Sequence, residues 1–481
     1  MNVSALGIDL TALAPILVLG GLAMAVLVLG LFVKKDGAGV LAWFALLGLA
    51  AALVLSLWSW GGTDRIVFGQ MMAVDGFYTL FAALAIAVAG LGVVLSASYL
   101  DRSGLTHAEY YALMIFGAAG MVVMAGACNL ILLLVGLELL SLSLYVLAGF
   151  ARTRLSSQEA ALKYFLLGSF SAGLLIYGAA LVYGAAGTLD YSGVAKATQG
   201  LGGANPLLLV GLGLILVGFA FKLALVPFHM WVPDVYEGAP TPVTAYMAVG
   251  TKAVVFAALL RLVTGAFPAA RAEWVAILAV LAALTMIVGN VAAVVQGNVK
   301  RLLAYSAIAH AGYILMAVVG GGKAGSDAVI FYLLAYTVMN FGAFAVLVAV
   351  GDGREERLSL QDYAGLARQS PWLAAAMAVF MLSLAGVPPT VGFWAKLYVF
   401  NAAIQGGYLW LALVGIATSV VAAYYYLKVV VAIYFTDPVS EKLILKPTGS
   451  MVAVLVVAVF FTLQMGLLPG LFLNLSQLPG L

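Results

Sequence analysis

The sequence predicts an all-α integral membrane protein, and three observations carry that prediction. Of its 481 residues, 65% are hydrophobic and only 9% charged, against the quarter or so charged that is usual in soluble domains. Apolar runs of roughly 20 residues, enough to cross about 30 Å of hydrocarbon as a helix, recur from Leu10 almost to the C-terminus. The runs are continuous rather than short and alternating, so the spans are helices and not strands of a closed barrel.

Dividing the chain at its charge and turn clusters gives spans near 10–33, 39–60, 75–99, 110–127, 129–150, 160–186, 206–226, 243–265, 273–295, 301–320, 327–350, 372–402, 406–434 and 449–473, fourteen in all. Only Cys128 and Asn129 punctuate the 110–150 region. The N-terminus lacks a positive n-region and a small-residue cleavage site, so the first run is expected to stay as a span.

Orientation follows from basic residues in short loops. With the N-terminus outside, one set of loops and span ends carries Lys34, Lys35, Arg102, Arg152, Arg154, Lys300, Arg301, Arg354, Arg357, Arg368, Lys442 and Lys446, and the other only Arg65, Lys196, Arg261, Arg271 and Lys323. Twelve against five places both termini on the outer side of the membrane.

A weak internal repeat is visible. EAALKYFLL, from Glu159, resembles DAVIFYLL, from Asp327, and each opens a helix two spans before one interrupted by proline, in ALVPFH around Pro227 and AGVPPT around Pro388 and Pro389. Two five-helix units account for this, giving an N-terminal segment at 1–105, repeats at 106–266 and 267–435, and a C-terminal helix at 436–481. Five is odd, so the second copy enters the membrane from the opposite side, the inverted plan of many transporters.

Composition also excludes. A net charge of +3 argues against nucleic-acid binding. A single cysteine, Cys128, rules out a disulfide framework and a Cys-ligated iron–sulfur cluster within the chain, and three histidines offer little for haem or metal. No cofactor is expected in this chain.

The chemistry lies in what the loop tally leaves over. Lys163, Lys222, Lys252, Lys396 and Lys428 fall inside apolar segments, and Glu138 is the one acid deep within a span, in LLLVGLELLSLSLY. A charged lysine at the bilayer centre costs roughly 2.5–3.5 kcal/mol on insertion scales, so it must be solvated, paired or neutral. Lys222 lies about sixteen residues into its span and one turn before Pro227, too deep to reach an interface. Burial lowers a lysine's proton affinity and a nearby carboxylate raises it, so a lysine whose carboxylate partner approaches and retreats can hold and release a proton. Glu138, at comparable depth, is the expected partner.

Lys252, in YMAVGTKAVVF, is flanked by small residues, and the bland alternative is a lysine satisfied by backbone carbonyls. Lys163 is one turn inside its helix, where snorkelling and function are equally open. Lys396, in VGFWAKLYVF, belongs to the second broken span, and Lys428 reads as an interfacial anchor. His229 follows the first break and His310 lies in RLLAYSAIAHAGY. A lone histidine is usually a packing residue, but near-neutral affinity also suits a proton relay, which Tyr305, Ser306 and Tyr313 could extend. Asp234 and Glu237, beside Pro233 and Pro240, read as ordinary solvated acids at an inner-side turn. A lone proline break is as readily a packing kink, whereas paired breaks in two repeats point to an ion pathway. Together Glu138, Lys163, Lys222, Lys252, His310 and Lys396 suit a proton conduit along the middle of the membrane. A solute carrier would need a pocket of mixed recognition groups instead.

The segments ALKYFLLGSF, FKLALVPFHMWVPDVYEGAPTPVTAY, NVKRLLAYSAIAHAGY and LSLAGVPPTVGFWAKLYVF closely resemble the antiporter-like subunit N of bacterial respiratory complex I, the NADH:quinone oxidoreductase. The likeness covers spans 4–13; the first three helices and the last match mainly by count. It implies fourteen helices with two inverted five-helix repeats and proton translocation coupled to quinone reduction elsewhere in the complex. By position it assigns the family's functional glutamate to Glu138 and its lysines to Lys163, Lys222, Lys252 and Lys396, settling Lys163 in favour of function. It also implies partner subunits carrying FMN, iron–sulfur clusters and quinone, an adjacent antiporter-like subunit, small membrane subunits and lipids. Subunits of multisubunit cation/proton antiporters share the broken helices. Lys396, the run YFLLGSF and the absence of a long lateral helix favour subunit N.

Overall fold

A computed structural model describes residues 9–33, 38–200, 205–351, 356–438 and 448–476. In chain order the helices are α1 (Leu10–Gly30), α2 (Ala38–Trp58), α3 (Gly76–Ser103), α4 (Ala108–Gly126), α5 (Leu130–Ala148), α6 (Leu155–Ala186), α7 (Tyr191–Gly200), α8 (Pro206–Lys222), α9 (Trp231–Gly238), α10 (Thr241–Tyr246), α11 (Lys252–Gly265), α12 (Arg271–Val294), α13 (Val299–Gly320), α14 (Gly322–Val350), α15 (Leu366–Gln369), α16 (Pro371–Ala385), α17 (Val391–Gln405), α18 (Leu409–Phe435), α19 (Gly449–Leu467) and α20 (Pro469–Ser476). Among the described residues twelve helical segments are long and apolar enough to cross a membrane, with α10, a π turn at Met247–Thr251 and α11 acting as one. Two shorter apolar helices, α8 and α16, stop at the proline-containing segments and are followed by α9 and α17. Lys34, Lys35, Arg354, Lys442 and Lys446 of the charge tally lie outside the described residues.

Local sequence explains the ends. Asn129, Asn205 and Asn298 each precede a helix and accept hydrogen bonds from its first free amides, and Pro206 occupies a first helical position where its missing N–H is no loss. Asn129 thereby divides the 110–150 region, α4 ending at Gly126 and α5 starting at Leu130. The link between α2 and α3, read as loop, instead holds a small antiparallel hairpin, Arg65–Val67 against Met72–Val74.

Small residues set the packing. A Cβ on Gly120 would lie 2.6 Å from the carbonyl oxygen of Gly136, and one on Gly136 2.9 Å from that of Gly120, so α4 and α5 cross backbone to backbone. On α12 and α13, a Cβ on Gly289 would lie 2.7 Å from the Ala309 amide nitrogen and one on Gly312 2.9 Å from that of Met286. Hydrocarbon does not drive helices together as water does, so such close van der Waals contact replaces the hydrophobic effect. The result is a bundle whose middle is α10–α11, α13 and α14, with α1, α2, α6, α12, α18 and α19 presenting Leu, Val and Phe outward.

Among the described residues, two of the basic residues assigned to loops and span ends sit deep in the protein instead. Arg261 forms a two-pronged ion pair with Asp75 at 2.8 and 2.9 Å, both side chains buried. Lys300 has no exposed side-chain surface and pairs with Glu356 at 2.8 Å. Loop charge counts see neither, because each cation's partner is distant in sequence.

Candidate functional site

Each break leaves backbone groups that the bundle must satisfy. At the end of α8 the Phe221 carbonyl accepts from the Trp231 indole at 3.0 Å, and the Val226 amide donates to the Thr285 hydroxyl of α12 at 2.9 Å. At the second break the Ala385 carbonyl, last of α16, accepts from Lys396 at 2.8 Å, and the Gly392 amide donates to the Ser383 hydroxyl at 3.2 Å. A cation at a helix C-terminus is favoured by the helix dipole. Lys396 thus belongs to the break structurally as well as by sequence.

Lys222, the last residue of α8, is 6% exposed. Its ammonium donates to the Ser141 hydroxyl at 2.7 Å and the Tyr145 hydroxyl at 3.2 Å, and lies 5.2 and 5.7 Å from the ring centres of Tyr145 and Tyr164. Glu138, Ser141 and Tyr145 fall at i, i+3 and i+7, one face of α5. Glu138, the expected partner, acts on Lys222 across space and makes no direct ion pair with it here. The hydroxyl one turn along takes the ammonium, and Glu138 Oε1 is buried without a hydrogen-bond partner.

Lys252 begins α11 directly after the π turn, a local distortion frequent at functional sites. It is 4% exposed, its ammonium bonds the carbonyl of Ala307 on α13, and the Tyr336 ring lies 5.2 Å away. One turn beyond Ala307, His310 is fully enclosed. Its Nδ1 meets the Tyr332 hydroxyl at 2.7 Å and its Nε2 the Tyr426 hydroxyl at 3.0 Å. The Tyr426 hydroxyl also meets Ser306 Oγ at 2.5 Å. The adjacent Tyr425 donates to Asn290 at 3.0 Å, and Asn290 donates to Tyr313 at 3.1 Å. Tyr313 reaches Thr418 at 3.3 Å, and its ring lies 5.3 Å from the Lys396 ammonium. Lys396 closes the line on Ser419 at 2.8 Å. The Tyr336 ring also packs on His310 at 5.2 Å and Tyr425 on Tyr426 at 4.4 Å, so every group from Lys252 to Lys396 is bonded to or packed on the next, as buried polar groups must be to avoid a desolvation penalty.

Between Lys222 and Lys252 stand aromatic rings: Tyr164 stacks on Trp231 at 4.5 Å, and Trp231 meets Tyr236 at 6.3 Å. His229 stands apart, in the turn between α8 and α9, with its Nδ1 buried and unpartnered. Ser306 and Tyr313 join the polar line, and Tyr305, partly exposed, does not.

Lys163 lies off the line. Its side chain, 40% exposed, pairs with Glu159 and Asp234, both at 2.6 Å. Asp234 also takes Arg301 at 2.8 Å, and Arg301 holds Glu237 at 2.7 Å. Asp234 and Glu237 are therefore not simple solvated acids but tie α6, α9 and α13 together. Sequence reading also missed Ser141, Tyr145, Asn290, Tyr332 and Tyr426. A usable signal existed on α18, where Thr418 and Ser419 precede Tyr425 and Tyr426 by seven residues and so share a face.

Two broken helices facing a buried line of ammonium, imidazole and hydroxyl groups define a polytopic membrane protein built to carry charge inside the bilayer. The model of the family described as NADH:quinone oxidoreductase/Mrp antiporter, transmembrane, matches residues 127–422. The chain is 46% identical to the NADH-quinone oxidoreductase subunit N of Trichlorobacter lovleyi over 471 residues, 98% of this chain and 96% of that one. It superposes on a chain of respiratory complex I from Thermus thermophilus with a TM-score of 0.82 at 41% identity, covering 96% of this chain and 98% of that one. It also shares its fold with a chain of the Mrp complex from Dietzia sp. DQ12-45-1b, with a TM-score of 0.84 at 22% identity and coverage of 98% and 96%. The chain belongs to the NADH:quinone oxidoreductase/Mrp antiporter membrane family and, within it, to the subunit N family of NADH-quinone oxidoreductases.

Proposed function

We propose that this chain is a proton-translocating membrane subunit of an NADH:quinone oxidoreductase and performs no redox step itself. The observation that carries the reading is the continuous buried line from Lys252 through His310 to Lys396, with Lys222 held behind it beside Glu138. Lys222, Lys252 and Lys396 are the proton-holding groups, His310 and its tyrosines the relay between the last two. Glu138 is the switch: its unspent Oε1 is an acceptor that can draw Lys222 from Ser141, raising its hold on the proton, and release it again. Lys163 acts from the ionic cluster with Asp234, and His229 from the break. Partner subunits of the complex carry FMN, iron–sulfur clusters and quinone and supply the drive. The chain lies in the bacterial inner membrane with both termini outside, against an adjacent antiporter-like subunit, small membrane subunits and lipid.

Two inverted five-helix units, at 106–266 and 267–435, underlie the arrangement. The pairing of small residues supports this: α4 crosses α5 through Gly120 and Gly136 as α12 crosses α13 through Gly289 and Gly312. In each unit the third helix, α6 or α14, then packs on the broken one.

The test is purification from native membranes with identification of companions, followed by Lys222→Ala in the assembled complex. Co-purifying flavin and iron–sulfur subunits, with proton pumping and coupled quinone reduction falling together, is the expected result. Cation exchange without NADH or quinone would instead mark a component of a multisubunit cation/proton antiporter, the reading favoured by the fold shared with the Mrp chain.

A further inference from the structure

Glu356 and Lys300 lie outside the line described above, yet they are among the most enclosed charges in the protein. Lys300 opens α13 with no exposed side-chain surface, and Glu356, in the connection after α14, is 13% exposed. They meet at 2.8 Å. Each also reaches the same short piece of backbone. Lys300 donates to the Ala239 carbonyl at 2.6 Å, and the Thr241 amide donates to Glu356 at 3.1 Å. Ala239–Pro240–Thr241 is the joint between α9, the second half of the first broken helix, and α10, which leads through the π turn to Lys252. The joint's own bonds run from the Ala239 amide to the Val235 carbonyl and from Thr244 to the Pro240 and Tyr236 carbonyls, and Pro240 has no N–H to add, which leaves the Ala239 carbonyl and the Thr241 amide to outside partners. The two side chains hold it from either side of the proline.

Glu356 is held in turn. Tyr99 of α3 donates to it at 2.8 Å, and Arg154, just before α6, approaches to 3.7 Å while donating to Tyr99 at 3.2 Å. An anionic carboxylate at the first amide of α10 also suits the helix dipole. Burial alone would raise the Glu356 carboxyl, but Lys300, Tyr99 and Thr241 hold it below its ordinary value, so it stays a carboxylate. That makes it a fixed point rather than a proton carrier.

We propose that Glu356 and Lys300 are positioning residues that clamp the α9–α10 joint onto α13. Lys252 is carried by the clamped helix, and its acceptor Ala307 and the relay His310 are carried by α13. Lys300 and Ala307 are seven residues apart, two turns on one face of that helix. The clamp therefore sets the register across which Lys252 meets Ala307. It joins a segment whose far end is the first broken helix to the helix carrying the relay, so a shift of α9 is passed to both sides of the transfer step.

This inference rests on the proton-moving role given to Lys252, and its test separates the two. The assembled complex is purified with Glu356→Gln and with the double change Glu356→Leu, Lys300→Met, which leaves no unpaired buried charge. Deuterium exchange is followed in peptides covering 239–246 with no NADH present, and protons moved per NADH are measured on equal amounts of complex. Exchange at 239–246 should rise at least tenfold while α1 and α2 exchange as before, and proton yield should fall to less than half without a matching loss of assembled complex. Wild-type exchange and yield in the double variant would overturn the clamp, since the pair would then only balance charge. Exchange reports on the joint whether or not the chain moves protons. Intact pumping after Lys222→Ala would sink the proposed function and leave the clamp standing.

Discussion

The ammonium of Lys252 is bonded to the carbonyl of Ala307, one turn before His310 on the same face of α13. A helix carbonyl can hold an ammonium but cannot take its proton, and it still accepts, more weakly, from a neutral amine. The site therefore tolerates Lys252 in either protonation state, which a carboxylate partner would not allow. Lys252→Met keeps the length and removes the proton. In the assembled complex, pumping should drop to about a hundredth or less, the low end of what a positioned proton-transfer group contributes. Stability should stay level or rise, because a buried charge has been removed. Proton uptake by vesicles reads the first and the thermal midpoint of the purified complex the second; a large loss of stability with intact pumping would contradict the assignment.

Tyr426 bridges Ser306 and His310 with one hydroxyl. Tyr426→Phe preserves the ring and takes the shared partner from two buried groups, at a cost of about 1–3 kcal/mol. Ser306→Ala leaves Tyr426 free to serve His310 and should be milder. The expected order of proton-pumping loss is therefore Tyr426→Phe greater than Ser306→Ala, measured in the same vesicles.

That bridge also shows where the sequence stopped being legible. The lysines could be found because an ammonium deep in an apolar run must be solvated, paired or neutral, and the breaks because prolines stand at matching places in two repeats. Their hydroxyl partners could not, because Tyr and Ser are ordinary in any helix and their roles depend on which helices meet. Tyr426 comes from α18 and Tyr332 from α14, on either side of His310 in α13. Depth identified Glu138 as the charge that acts on Lys222, and it does so across space, but depth does not say which residue on that face of α5 stands nearest, and Ser141 does. Asp234 and Glu237 looked like ordinary turn acids because their cations, Lys163 and Arg301, are far away in sequence.

Glu356 gives a pH expectation of definite sign. Its carboxyl is held below the ordinary value of 4.5 in the folded protein, burial being outweighed by Lys300, Tyr99 and Thr241, with Arg154 also facing it. A depressed folded value contributes stability that is fully present above the ordinary range and lost as pH falls through the folded one. Amide protection at 239–246 should therefore be flat between pH 6 and 8 once corrected for intrinsic exchange, and should decline only below about 4.5. Loss of protection near neutrality would show that the carboxylate is not what holds the joint.

Asp75 provides a contrast off the line. Its two-pronged bond to Arg261, at 2.8 and 2.9 Å, joins the start of α3 to α11. Removing one partner of a buried pair costs about 3–5 kcal/mol. Asp75→Asn should reduce the amount of assembled complex and lower its thermal midpoint, yet leave protons moved per NADH unchanged in what assembles. A changed yield would place Asp75 in the pathway.

Gly392 makes the second break possible, and its substitution should have the opposite sign from that of another helix glycine. A Cβ at Gly392 would lie 1.7 Å from the Ser383 carbonyl oxygen, so α16 and α17 touch there backbone to backbone with nothing flexible to yield. Lys396 follows four residues later on the same face and reaches the Ala385 carbonyl. Gly392→Ala must push the halves of the broken helix apart, costing about 1–3 kcal/mol or more and drawing Lys396 from its acceptor. Gly90, within α3, has open space where a Cβ would go. Gly90→Ala should gain about 0.5–1 kcal/mol from reduced chain entropy. Thermal unfolding of the purified complex should therefore move down for Gly392→Ala and level or up for Gly90→Ala, with pumping lost only in the first. Equal midpoints for the two would mean that the halves of the break can part without consequence, and that Lys396 is not held by their contact.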